Sequence, residues 1–116
     1  MSTTLIYHNP RCSKSRQTLQ LLQDKGITPE IKEYLKNPPT AEELKQLIDL
    51  LEIKPRDLLR NKEDEFKEAG LDNPALDDAA IIDAMIRFPK LIERPIVVHQ
   101  GKARIGRPPE QVLELL

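Results

Sequence analysis

Leu5-Ile6-Tyr7-His8-Asn9-Pro10-Arg11-Cys12-Ser13-Lys14-Ser15-Arg16 begins with three β-prone residues, breaks at Asn9-Pro10 and runs into Leu19, Leu21 and Leu22 at helical spacing. Lys25-Gly26 stops that helix, with a cation near its negative end and a glycine just beyond. Ile31 to Tyr34 reads as a second short strand. Strand, turn, helix, strand is a βαβ unit. Its crossover is right-handed, because a twisted strand feeding a right-handed helix returns to its sheet only that way.

Working outward, Pro38-Pro39 ends the second strand and Thr40-Ala41-Glu42-Glu43 is a capping box. Leu44, Leu47, Ile48 and Leu51 follow as one apolar stripe. Pro55 sits at the favoured first position of a further short helix carrying Leu58, Leu59 and Arg60. Glu63 to Ala69 reads as a charged helical turn, and Asp77-Asp78 opens a helix with Ile81, Ile82 and Met85 inside, closed by Pro89. Sheet then returns. Pro95-Ile96-Val97-Val98 is a buried-type strand joined through Gln100-Gly101 to Ala103-Arg104-Ile105, a hairpin. Pro108 starts a last helix, with Val112, Leu113 and Leu116 expected on one face. The order β-α-β, helical block, β-β-α predicts an α/β thioredoxin-like fold with a mixed four-stranded sheet and a helical insertion between its halves.

The chain has 116 residues, enough for one modest core. Its net charge of −1 gives no overall pull toward nucleic acid or anionic membrane, so an anion site must come from a few gathered cations. No apolar run is long enough to cross a bilayer, and Met1-Ser2-Thr3-Thr4 lacks the basic start of a signal peptide. One cysteine cannot close an internal disulfide, and zinc-type His/Cys spacings are absent from the sequence. A reducing cytoplasmic setting is expected.

Cys12 falls at the strand-to-helix turn, near unpaired N–H groups and the positive end of a helix dipole. Both favour the thiolate, the reactive form. His8, as imidazolium across the same turn, is expected to lower the thiol pKa further, with Arg11, Lys14 and Arg16 adding positive charge. The spacing excludes two chemistries. A Cys-x5-Arg phosphate loop has Thr18 where it needs arginine, and a Cys-x-x-Cys dithiol has Ser15 where it needs the second thiol. An intermediate on Cys12 must therefore be resolved by an outside thiol.

The segment His8 to Arg16 closely resembles the active-site segment of the glutaredoxin-coupled arsenate reductases, the ArsC family. The likeness continues in collinear order at Tyr34-Leu35-Lys36-Asn37-Pro38-Pro39-Thr40, Leu58-Leu59-Arg60, Arg94-Pro95-Ile96-Val97-Val98 and Arg107-Pro108. It implies one ArsC-like domain over 1–116, with 1–36 and 89–116 as the thioredoxin-like core and 37–88 as the insertion. It implies that Cys12 attacks the arsenic of arsenate, that His8 favours the thiolate, and that Arg60, Arg94 and Arg107 hold the oxyanion. Guanidinium forks suit a tetrahedral anion because they bind its oxygens bidentately and stay charged at any working pH. Ser15, Arg11, Arg16 and Pro95 are supporting candidates, and a cis peptide is implied before Pro95.

The resemblance further implies no bound cofactor or metal, with glutathione and glutaredoxin as electron donors. The expected setting is a monomer in the bacterial cytoplasm, acting on arsenate or a similar oxyanion, with no nucleic-acid or membrane partner. Two departures stand out: Arg11 replaces a small residue of the plasmid-type reductases, and the chain stops at Leu116, short of their C-terminal tail. Two other functions fit the same resemblance. One is a glutathione-dependent thiol reductase with another substrate. The other is an Spx-like thiol-sensing regulator, which Ser15 disfavours by removing the second cysteine of that switch.

Overall fold

A computed structural model describes residues 4–60 and 64–116. The polar start at Met1 to Thr3 and the opening of the charged turn at Glu63 lie outside the described residues. The chain forms two compact units, Met1–Asn37 with Arg94–Leu116, and Pro38–Glu93.

In the first unit, β1 (Leu5–Tyr7) leads into α1 (Ser13–Asp24) and then β2 (Glu30–Lys32), which lies parallel to β1. After the second unit the chain returns as β3 (Ile96–His99) and β4 (Lys102–Ile105). The sheet order is β2-β1-β3-β4, with β3 antiparallel to both β1 and β4, the mixed four-stranded thioredoxin-like arrangement. Gln100 and Gly101 both take positive φ, as the two central residues of a tight hairpin turn require. Ile6, Leu22, Val97, Val112 and Leu115 make the core, with Leu19 and Ile27 packed on it.

Two boundaries differ from the sequence pattern. The second strand is Glu30–Lys32 rather than Ile31 to Tyr34, because β1 offers only three partners. The last ladder bond runs from His8 N–H to Lys32 O, after which the chain turns, with Lys36 N–H donating to Glu33 O. Tyr34 is buried from that turn, so its burial had mimicked a strand position. The final helix is 3-10, Pro109–Leu115, rather than α-helical. A period of three turns Pro109, Val112 and Leu115 inward, whereas Leu113 is only partly covered and Leu116 is exposed.

In the second unit, Thr40 and Glu43 close the capping box reciprocally and start α2 (Ala41–Leu51), which buries Leu44, Leu47 and Ile48. Pro55–Leu58 is a single 3-10 turn. Leu59 and Arg60 leave the helix they were expected to occupy, Leu59 making a β-bridge to Ile92 and Arg60 N–H donating to Leu91 O at 2.7 Å. A short α3 (Asp64–Glu68) precedes α4 (Asp78–Arg87), whose Asp77 cap accepts from Ala80 N–H. α4 buries Ile81, Ile82 and Met85, and packs against α2 and the 3-10 turns Pro55–Leu58 and Pro89–Leu91. Among the described residues no helix is long and apolar enough to cross a membrane.

Candidate active site

Cys12 occupies the N-cap of α1 with extended backbone. Its sulfur stands where a serine or aspartate would offer oxygen to the first-turn N–H groups. It closes no cap hydrogen bond of ordinary geometry, yet the Ser15 and Lys14 N–H groups still act on it. The loop before it is built by Asn9, whose carbonyl accepts from Cys12 N–H at 3.0 Å and whose Oδ1 accepts from Arg11 N–H at 3.0 Å. This side-chain turn is the physical content of the Asn-Pro signal.

Two arginines from the far end of the sequence reach the sulfur. Arg107 donates through a terminal guanidinium nitrogen to Cys12 Sγ at 3.5 Å, while its Nε donates to Arg94 O at 2.8 Å. The Arg94 guanidinium acts on the thiol by hydrogen bond and by charge. Burial pushes the Cys12 thiol up, but Ser15 N–H, Arg94 and Lys14 N–H outweigh it and leave the thiol below its ordinary value. The half-buried sulfur is thus held toward thiolate beside guanidinium groups able to receive oxygens.

His8 corrects one expectation. It is buried at the end of β1, and burial, more than any neighbouring charge, lowers its pKa below the usual imidazole value. Glu33 works against this shift and Arg16 adds to it. The ring is therefore held neutral rather than as the imidazolium expected across the turn. Its Nδ1 lies 2.6 Å from Ser15 Oγ, which also accepts from Asn9 N–H at 3.1 Å. With its Nδ1 unprotonated, the neutral ring can accept a hydrogen bond from the Ser15 hydroxyl. His8 and Ser15 thus brace the loop on which Cys12 sits, and the charge near the sulfur comes from arginines.

Pro95 follows a cis peptide from Arg94, as the resemblance implied, and Arg107-Pro108 is a second cis peptide that the sequence did not signal. Arg16 spends its guanidinium on Pro10 O at 2.9 Å, bracing the same loop, and Arg11 is exposed. Arg60 belongs to the second unit, where it pairs with Glu93 at 2.9 Å. Gly106 escaped the sequence reading. A Cβ there would come within 2.5 Å of Thr18 Oγ1 and 2.8 Å of Pro95 Cγ. The residue before Arg107 must therefore lack a side chain. Among the described residues no group of three or more His, Cys, Asp or Glu could hold a metal.

Residues 7–115 match the ArsC family. The chain belongs to that family. An arsenate reductase of Neisseria meningitidis is 48% identical over 96% of this chain and 96% of its own length. The uncharacterized protein YfgD of Escherichia coli is 55% identical over 96% of this chain and 94% of its own length. The solved arsenate reductase from Vibrio cholerae superposes with a TM-score of 0.96 at 52% identity, covering 99% of this chain and 98% of that one. The ArsC match spans both segments that meet at the thiol, the loop of Cys12 and the stretch from Arg94 to Arg107.

Proposed function

We propose that the protein is an arsenate reductase that works through a Cys12 thiolate-arsenate adduct resolved by glutathione and glutaredoxin. The contact between Cys12 Sγ and Arg107, reinforced by Arg94, carries this reading. Family membership and the names of its relatives support it.

Arg94 and Arg107 bind the arsenate oxygens and offset the repulsion between anion and thiolate. The Cys12 thiolate forms a sulfur–arsenic bond, and one arsenate oxygen leaves as water after protonation. Glutathione then attacks. Cys12 and glutathione sulfurs each give one electron as they pair, arsenic(V) becomes arsenic(III), and arsenite leaves. A glutaredoxin thiol takes the glutathione from the mixed disulfide and frees Cys12. No bound cofactor is required, and the enzyme is taken to be a cytoplasmic monomer of one domain, 1–116, with 37–88 as its insertion.

Purified protein supplied with arsenate, glutathione and glutaredoxin should form arsenite. Cys12→Ser should lose at least about a thousandfold, since no other cysteine can replace the nucleophile. Wild type no faster than Cys12→Ser ends the proposal. The rival thiol reductase is separated in the same assay. Arg94→Ala, and Arg60→Ala on the strength of the family pattern, should cripple arsenite formation far more than reduction of a small disulfide. Equal loss of both activities favours the rival.

A further inference from the structure

A groove of about 250 Å3 lies in the first unit against the loop that precedes Cys12, and His8, Pro10, Arg11, Glu33, Leu35 and Lys36 line it. Its volume falls just under the usual range of about 300–1,000 Å3 for small-molecule sites. It carries two cations, Arg11 and Lys36, and one anion, Glu33, while the His8 ring is held neutral. Leu35 is one of the large apolar residues that stay exposed. Lys36 Nζ and Glu33 Oε1 pair at 3.5 Å, with the lysine side chain 74% exposed. Such a pair contributes little and opens readily to a ligand with matching charges.

We propose that this groove docks the thiol donor, a short peptide thiol with two carboxylates and one ammonium, the charge pattern of glutathione. Arg11 and Lys36 take the carboxylates, Glu33 takes the ammonium, and Pro10 and Leu35 give the peptide an apolar wall. Arg11 of the groove wall is one Cα step, about 3.8 Å, from Cys12, and an extended tripeptide spans about 10 Å. The dock rests on the reading of Cys12 as a thiolate that exchanges with an outside thiol. In the exchange with oxidised glutathione, the Cys12 thiolate attacks one sulfur and the sulfur–sulfur bond breaks. One glutathione thiolate leaves and a Cys12–glutathione disulfide remains, so Cys12 is oxidised as the departing sulfur is reduced.

The test compares the rates at which Cys12 is modified by oxidised glutathione and by hydroxyethyl disulfide, which has no charged groups, followed by mass spectrometry. The ratio of the two rates cancels any change in the thiolate itself. Lys36→Glu should lower that ratio about tenfold and Glu33→Gln about threefold, since the first replaces attraction by repulsion and the second removes one partner. Ratios equal to the parent's in both variants overturn the dock. Arsenite formation by the parent is measured alongside. A ratio that falls in the variants while the parent forms no arsenite sustains the dock and overturns the arsenate reading. Arsenite formed by a parent whose ratio matches that of both variants overturns the dock alone.

Discussion

Cys12 is a half-buried thiol whose burial alone would raise its pKa, and its reactivity is set by which donors are aimed at it. The Ser15 N–H comes with the helix start, whereas Arg94 arrives from the other end of the fold. Arg94→Leu should therefore slow alkylation of Cys12 by iodoacetamide at neutral pH by roughly threefold to tenfold, and shift the alkylation profile to higher pH. An unchanged profile would mean that the helix start suffices. His8 titrates with the opposite consequence for the fold. Its folded pKa is depressed by burial, so as pH falls through the ordinary imidazole range the unfolded chain takes up a proton first. The unfolded state is favoured until the folded ring protonates as well. The urea midpoint should drop between about pH 7 and about pH 5, and His8→Gln should flatten that part of the drop. Equal slopes in the two proteins would show that His8 does not titrate on unfolding.

Among the elements, the meeting of α1 with the turn after β4 matters most, because it sets Arg107 over the sulfur. Gly106 N–H donates to Pro95 O at 2.9 Å, and the missing Cβ lets Thr18 of α1 come close. Gly106→Ala forces these segments apart. It should cost about 1–3 kcal/mol in urea unfolding, and should also slow Cys12 alkylation as the Arg107 contact of 3.5 Å lengthens. A stability loss with normal alkylation would separate Gly106 from the site. This contact also shows where sequence reading stops. β1, the Asn-Pro break and α1 were legible because each is punctuated locally by Pro, Gly or helical spacing. The Thr40 box and the Gln100-Gly101 hairpin were legible for the same reason. The 3-10 register of Pro109–Leu115 was not, since apolar residues at 112, 113, 115 and 116 suit either period. Burial of His8, which decides its charge, depends on packing that no local pattern encodes. Without the family likeness Arg107 was one of many cations, and Arg94 stood out only slightly, by directly preceding a buried-type strand.

At the scale of the whole molecule, 18 basic and 19 acidic side chains nearly cancel, so an approaching oxyanion meets no long-range attraction. Many exposed charges are spent on one another, as in the pairs Arg87–Asp83 and Arg104–Glu114. On the proposed reading what draws an anion is local, the guanidinium groups that act on Cys12, that of Arg107 from 95 positions along the chain. Salt distinguishes the two kinds of attraction. Ions screen over about 10 Å at 0.1 M, which weakens distant charges far more than partners in hydrogen-bond contact. The KM for arsenate should therefore change less than about threefold between about 20 and about 300 mM potassium chloride. A rise of about tenfold or more would place the attraction in dispersed surface cations, and the capture of substrate would no longer belong to the guanidinium groups at Cys12.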